Sequence, residues 1–177
     1  GDHLLLNAMG VITVCYLENI DKDEIRNQVA KIEHAKRRFI EEKFESNILI
    51  DDYAHHPTEV KVTIEAAKKK YPDRKLIAIF KAHTRSRVEH FYKEFADALN
   101  LADKAYIMDI GVDRKEIGYD HITYQNILDY VKNGEHIEID TADKLLEYEN
   151  AVLLFMSSKD IYVLADKYKE LYKKKKS

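Results

Sequence analysis

Two carboxylates, an aromatic ring and two imidazoles stand together in residues 51–56, which read DDYAHH. Imidazoles and carboxylates are the side chains that most often move protons near neutral pH. Two like charges beside two titratable rings are costly to hold together unless a cation, a sugar hydroxyl or a phosphate compensates them. This segment is therefore the first candidate for a ligand-binding site, although aspartates at a strand end also serve as plain loop or cap residues.

A second group of polar side chains is cationic and lies in residues 81–87, which read KAHTRSR. Lys81, His83, Arg85 and Arg87 together give a positive field that suits a phosphate or a carboxylate. Arginine binds such groups in a bidentate manner, while lysine acts as a point charge. The alternative, that alternating arginine and serine at a helix start simply face solvent, stays open.

Two other uses of the histidines do not fit the spacing. Adjacent histidines such as His55 and His56 point in different directions, and the Cys/His spacing of a zinc site is missing, so we predict no metal site. A Ser-His-Asp triad would need the strained G-x-S-x-G turn, which is also missing.

Apolar periodicity predicts the elements that position these groups. Helices are expected at 3–17, 21–33, 57–70, 86–99, 123–131, 142–148 and 161–172, and strands at 39–44, 47–50, 76–80, 105–110, 137–139 and 151–156. Strands that alternate with helices at short spacing predict an α/β fold with a Rossmann-like, mostly parallel sheet and helices on both faces. No G-x-G-x-x-G follows the first strand, so the dinucleotide fingerprint is absent.

Both polar groups follow predicted strands, and the carboxyl ends of parallel strands share one edge of the sheet. We therefore expect residues 51–56, 81–87, 109–116 and 157–160 to meet there.

Composition restricts the class of protein. The chain has 177 residues, which is enough for one well-packed domain and a short appendage. A net charge of −3 provides no overall basic field for nucleic acid, and no apolar run reaches the length of a membrane span. One cysteine and no visible signal peptide indicate a reducing, cytoplasmic setting.

Several segments in the same order resemble the Mur ligase family of bacterial cell-wall synthesis. These are KRRF at 36–39, DDYAHHPTE at 51–59 and IFKAHTRSR at 79–87, while the opening GDHLLLNA is similar to the last helix of the family's central ATPase domain. The resemblance implies that residues 1–35 are the helical end of that ATPase domain and the linker, and that residues 36–177 are the C-terminal domain. The N-terminal and central domains of the same chain would then lie upstream as its partners.

The resemblance also implies a function. It is that of the family members that join L-alanine to UDP-N-acetylmuramate through an acyl phosphate in peptidoglycan precursor synthesis. ATP and Mg²⁺ would be required, with the main metal ligands upstream, so residues 1–177 alone should be inactive. Nucleic acid and membrane are not expected as partners.

Site residues follow from the resemblance position by position. It implies nucleotide binding by Asn7, Arg38, Asp52 and Tyr53, catalytic roles for His55, His83 and Arg87, and substrate binding by His56, Arg85 and Lys81.

The largest departure from the family lies in residues 155–160, which read FMSSKD where the family has a Gly-Ala-Gly-Asp turn. Glycines there would let backbone N–H groups approach a ligand, and side chains at 157–159 narrow that space. A non-catalytic nucleotide- or peptide-binding module with the same fold is therefore the alternative hypothesis.

Overall fold

A computed structural model describes residues 2–29, 31, 37–111 and 116–176. The chain divides into two compact units, Gly1–Lys36 and Arg37–Ser177, which we call the helical unit and the sheet unit. Of the linker predicted at 34–38, residues 34–36 lie outside the described residues, and the assignment of residues 1–35 to the end of an ATPase domain and the linker stays a prediction.

The helical unit contains α1 (Asp2–Leu17) and α2 (Lys22–Val29). The Asp21 carboxylate accepts the N–H groups of Asp23 and Glu24, which begins α2 one residue later than predicted. The two helices enclose a groove of about 590 Å³ that is lined mostly by apolar side chains. Leu6 and Leu17 of α1 remain about 70% exposed, so the unit presents an extensive apolar surface.

The sheet unit is built on six strands, which are β1 (Ile40–Phe44), β2 (Asn47–Asp52), β3 (Leu76–Phe80), β4 (Lys104–Ile107), β5 (Gly134–His136) and β6 (Val152–Met156). Their order in the sheet is β1-β2-β6-β3-β4-β5. Only β1 and β2 pair antiparallel, as a hairpin, and the other neighbours are parallel. The predicted Rossmann-like, mostly parallel sheet is confirmed.

Helices cover both faces of the sheet. One face packs against α3 (Pro57–Lys70), α4 (Arg85–Leu99) and the single turn α5 (Gln125–Leu128). The other face packs against a 3₁₀ helix (Ile139–Glu147) and α6 (Tyr162–Lys176). Every residue of β3 and β6 is buried, which explains why these strands read as continuous apolar runs.

The elements around β5 were predicted wrongly from the sequence. A strand was predicted at 137–139, but the observed strand is the more polar segment Gly134–His136, because β5 is an edge strand that pairs only with β4. Gly134 allows close packing here, since an added Cβ would lie 2.7 Å from Leu128 Cδ1 and 3.0 Å from Val131 Cβ, and these side chains would have to shift. The predicted helix at 123–131 is reduced to one turn, and that at 142–148 is a 3₁₀ helix that starts three residues earlier.

Among the described residues, no helix combines the length and the apolar character needed to cross a membrane.

Candidate functional site

The carboxyl ends of β2, β6 and β3 lie in one row at the edge of the sheet. Asp52 is the register partner of Met156, and Met156 is the partner of Phe80. The segments that follow these strands therefore start side by side, as the sequence predicted. We call the residues collected here, 37–39, 51–59, 81–87 and 157–160, the strand-end site.

Residues 37–39 enter this site on a backbone that is locally unfavourable. Arg37 and Phe39 have φ values of 61° and 52°, in the left-handed region that glycine prefers. Such conformations persist only where the surroundings fix them. Here the Arg37 guanidinium forms two bonds with Asp51 and donates to the Ser157 carbonyl at 2.9 Å. The Arg37 carbonyl accepts the N–H of Tyr53 at 2.7 Å.

Asp52 is 5% exposed and fixes the other side of this segment. Its Oδ2 accepts the N–H of Phe39 at 2.8 Å, and its Oδ1 accepts the N–H of Ala54 at 2.8 Å and the hydroxyl of Thr63 at 3.3 Å. Burial raises the pKa of Asp52 above its ordinary value, although these N–H groups and the Arg38 charge oppose the rise. Both carboxylate oxygens are thus already engaged within the protein.

Arg38 lies between the anchored residues Arg37 and Phe39, and its side chain is more exposed than that of Arg37. Its guanidinium carbon is 5.5 Å from the centre of the Tyr53 ring, and Nη1 is 3.8 Å from Glu59 Oε1. At 39% exposure, the side chain is only weakly held by the described residues, so its planar donor set can reach a ligand. The adjacent Tyr53 ring offers that ligand an aromatic surface.

The two histidines are oriented by the start of α3. Glu59 Oε2 accepts the N–H groups of His55 and His56 at 3.0 and 3.2 Å, and it lies 3.2 Å from His55 Nδ1. His56 caps α3, since its Nδ1 accepts the N–H of Thr58. Pro57 occupies the first helical turn, as its fixed φ favours. The sequence had assigned His56 to substrate binding, and in the structure one of its two ring nitrogens is used by the helix.

Glu59 makes the stability of the sheet unit depend on pH. Its burial would raise its pKa, but the His55 N–H, the His55 charge, the His56 N–H and Arg38 outweigh that effect, so the pKa is lowered. A lowered carboxyl pKa contributes stability that is present above the ordinary glutamate value and is lost as pH falls through the folded-state pKa.

We expect Glu59→Gln to lower the free energy of unfolding of the sheet unit by about 1 kcal/mol at pH 7, and the difference from wild type to shrink as pH falls below 4. Urea unfolding followed by circular dichroism between pH 3 and pH 7 measures this difference. Glu65→Gln, on an exposed position of the same helix, is the matched control and should show a much smaller difference throughout. A Glu59→Gln difference that does not change with pH would contradict the assignment.

The cationic residues after β3 are also tied to carboxylates or carbonyls. Lys81 Nζ lies 2.8 Å from Asp160 Oδ1, Arg85 Nη1 lies 2.8 Å from Asp120 Oδ1, and Arg87 Nη1 donates to the His55 carbonyl at 3.4 Å. Arg87 thereby connects the two groups of polar residues that the sequence singled out. His83 forms a backbone bridge with Gly111, so the segment after β4 lies beside it.

The start of α4 is capped by Glu116, the last residue of the segment 109–116 that was expected at this edge of the sheet. Thr84 provides no side-chain cap and has a φ of 70°. Instead, Glu116 accepts the N–H of Arg85 at 2.7 Å and the hydroxyl of Ser86 at 2.6 Å. A negative charge is favourable at this helix end, which is the kind of position that binds anions. Only the chain fold could reveal this contact, because the residues are about 30 positions apart.

The turn after β6 is held by a serine where the family resemblance leads one to expect glycine. Ser157 is buried, its N–H donates to the Asp52 carbonyl at 3.1 Å, and its Oγ accepts the N–H of Lys159 at 3.0 Å. Lys159 Cγ would lie 3.3 Å from a Cβ added at Gly111. The turn is therefore a packed part of the strand-end site. The sequence had indicated that side chains at 157–159 narrow the space here.

Asn7 lies exposed on α1 of the helical unit, and its predicted contact with adenine stays a prediction.

Comparison with known proteins gives consistent matches. Residues 37–165 match the family of the Mur ligase, glutamate ligase domain. The UDP-N-acetylmuramate–L-alanine ligase of Limosilactobacillus reuteri is 42% identical over 174 residues, which are 98% of this chain and 40% of that protein.

Two solved structures have the same fold. The UDP-N-acetylmuramate-alanine ligase of Thermotoga maritima superposes with a TM-score of 0.71 at 25% identity, over 99% of this chain and 39% of that one. A murein peptide ligase of Psychrobacter arcticus has a TM-score of 0.71 at 22% identity, over 95% of this chain and 36% of that one. The chain thus spans about 40% of the length of the relatives it matches.

Proposed function

This chain belongs to the Mur ligase family, and from that premise we propose that it is the C-terminal part of an ATP-dependent ligase that joins L-alanine to UDP-N-acetylmuramate. The 42% identity over nearly the whole chain to a ligase of that name is the observation that carries the proposal. The product would be a peptidoglycan precursor, made in the cytoplasm.

The proposed reaction has two steps. ATP transfers its terminal phosphoryl group to the carboxylate of UDP-N-acetylmuramate, which gives an acyl phosphate and ADP. The amine of L-alanine then attacks the acyl carbon, an amide bond forms, phosphate leaves, and the amine loses a proton. Both steps place negative charge on phosphoryl oxygens, so positioned cations stabilise their transition states.

Arg38 and Tyr53 are the residues we assign to the nucleotide. The guanidinium of Arg38 lies beside the Tyr53 ring, and the residues on both sides of Arg38 have left-handed φ values. A guanidinium can bind phosphate oxygens with two parallel hydrogen bonds.

Asp52 supports nucleotide binding by holding the segment of residues 37–39 in place, and not by a ribose contact alone. Its Oδ2 accepts the N–H of Phe39, so the carboxylate holds the segment that carries Arg38. A hydrogen bond from a ribose hydroxyl to Asp52, which the family resemblance implies, would require one of its present N–H or O–H donors to be shared or released. We therefore propose that Asp52 acts first as a positioning residue.

His55, His83 and Arg87 are assigned to the chemistry, and His56, Arg85 and Lys81 to its substrates. Arg87 Nη1 donates to the backbone carbonyl of His55 at 3.4 Å, so these two residues are neighbours in the strand-end site. An imidazole can take the proton from the attacking amine, and a guanidinium favours the charged acyl phosphate.

Magnesium fits the described part of this site poorly. Among the described residues, those of the strand-end site bring no three His, Cys, Asp or Glu ligand atoms within 4.8 Å of one another. The Mg²⁺ that accompanies ATP in this family would be held by residues upstream, and residues 1–177 alone are predicted to be inactive.

The apolar surface of the helical unit supports the same view. Leu6 and Leu17 are exposed on a helix that also forms an apolar groove with α2. Such a surface is suited to pack against the rest of a domain. We propose that upstream residues of the central ATPase domain cover it.

The test is phosphate release by the complete protein that contains this chain. With MgATP, UDP-N-acetylmuramate and L-alanine present, phosphate should form, and omission of any one of the three should stop it. His83→Ala should lower kcat by about 100-fold while circular dichroism shows an unchanged fold. If the folded complete protein releases no phosphate under any combination, the ligase proposal is wrong and a non-catalytic binding module takes its place.

A further inference from the structure

Three potential metal ligands meet at the carboxyl ends of β4 and β5, outside the strand-end site. Asp109 follows β4, His136 ends β5, and Glu138 precedes the 3₁₀ helix. One ligand atom from each residue lies within 4.8 Å of the other two. The pairing of Ile107 with His136 in parallel register brings the ends of these strands together.

The distances between these atoms suit a shared cation. His136 Nε2 is 3.1 Å from Asp109 Oδ1 and 3.6 Å from Glu138 Oε1. Zinc binds nitrogen and oxygen at about 2.0–2.2 Å, so two ligand atoms of one tetrahedral ion are separated by about 3.3–3.6 Å. The separation of His136 from Glu138 falls in that range and that from Asp109 is slightly shorter, so small side-chain rotations would bring the three ligand atoms to zinc-binding separations.

In the described part of the chain, no lysine or arginine side chain pairs with the two carboxylates of this group. Within the described parts of the chain, neither Asp109 nor Glu138 forms an ion pair with a lysine or an arginine. The nearby lysines are directed elsewhere, since Lys104 pairs with Glu135 and Lys144 Nζ donates to the His136 carbonyl. Two carboxylates thus face one imidazole, and a divalent cation would compensate them.

Neighbouring groups hold the proposed ligands in place. The Tyr124 ring stacks on the His136 ring with centroids 3.9 Å apart and an angle of 13° between the planes. The N–H of Asp109 donates to Glu138 Oε1 at 2.7 Å. The His136 side chain is 34% exposed and that of Asp109 is 67% exposed, so ions can enter and water can complete the coordination. Ligands held in position before the metal arrives bind it with less loss of entropy.

We propose that Asp109, His136 and Glu138 form a binding site for a divalent transition metal. One imidazole with two carboxylates suits zinc or manganese, whereas magnesium and calcium prefer oxygen ligands alone. Zinc is the stronger binder of the two in the general affinity order, and it is therefore the probe we choose. The ion would join the ends of β4 and β5 to the start of the 3₁₀ helix, and the proposal does not depend on the ligase function.

The experiment titrates the metal-free 177-residue chain with zinc against a chromophoric chelator. We expect one saturable site, and we expect His136→Gln and Asp109→Asn each to weaken it by 10-fold or more. Thermal unfolding should shift upward by about 5 °C at a zinc concentration 100 times the dissociation constant. His121→Gln is the matched control, because His121 also lies 3.3 Å from a carboxylate, that of Glu89, but is in no group of three potential ligands among the described residues.

The Asp109→Asn variant distinguishes loss of the metal site from loss of the fold. Asp109 is largely exposed, so Asp109→Asn should keep the metal-free melting temperature of wild type while losing zinc affinity. The proposal is overturned if zinc does not bind saturably, if His136→Gln and Asp109→Asn both bind zinc as wild type does, or if zinc affinity is lost in His55→Gln instead. In each of those cases His136 forms only an ion pair with its two carboxylates, or another histidine holds the ion.

Discussion

Asp52→Ala is expected to lower the free energy of unfolding of the sheet unit by about 3 kcal/mol. The substitution leaves the N–H groups of Phe39 and Ala54 and the hydroxyl of Thr63 without their acceptor, in a position that is almost fully buried. A buried donor without a partner costs about 1–3 kcal/mol, and the relief of the desolvated carboxylate charge offsets part of the sum. Urea unfolding of wild type and variant at pH 7 measures the difference.

The neighbouring aspartate is the control. Asp51 is also a strand-end carboxylate, but its side chain is 29% exposed and its partner is the Arg37 guanidinium, which water can solvate. Asp51→Ala should therefore cost about 1 kcal/mol or less. Equal losses from the two substitutions would show that Asp52 has no special structural role, and the positioning role proposed for it would then fail.

Arg38→Ala in the complete ligase is expected to lower kcat/KM for ATP by about 100-fold. This prediction depends on the proposed function, in which the Arg38 guanidinium stabilises charge on the transferred phosphoryl group. The loss of one such preorganised donor from a transition state costs about 10²–10³ in rate. Steady-state phosphate release at varied ATP concentration provides kcat and KM separately, and a fall in kcat indicates a role in the transition state rather than in binding alone.

Stability should change little in the same variant. The printed contacts of the Arg38 side chain with described residues are a 3.8 Å ion pair with Glu59 and an approach to the Tyr53 ring, so Arg38→Ala should cost about 0.5 kcal/mol. Arg74→Ala is the matched control, because the Arg74 guanidinium donates to the Ser46 carbonyl, in the turn between β1 and β2 and away from the strand-end site. An Arg38→Ala enzyme with wild-type kinetics, or an Arg74→Ala enzyme with an equal loss, would refute the assignment.

The fold could be predicted from sequence wherever the burial of an element gives it a simple pattern of apolar residues. Buried parallel strands have no polar face, so β3 and β6 read as uninterrupted apolar runs. The helix Pro57–Lys70 was predicted with its observed bounds, because Pro57 begins it and the Tyr71-Pro72 pair ends it. The prediction was wrong around β5, where an edge strand is polar and its apolar neighbour Ile137 is buried just outside it.

The candidate site could also be predicted only in part. The types of its residues and their places after strands could be read from the sequence, because parallel strands all end at one edge. Their partners could not, since Arg37 bonds to Ser157 across 120 positions and Arg85 to Glu116 across 31. No local pattern encodes such pairs.

The sequence by itself determined the family, the kind of sheet and the edge that carries the polar residues, because each depends on order along the chain. Only the tertiary structure decided that Asp52 is buried beneath residues 37–39, that Glu116 closes α4, and that Asp109 and His136 are neighbours. The physical reason is that burial and contact between distant residues depend on how strands pair and pack, and these relations have no fixed spacing in sequence.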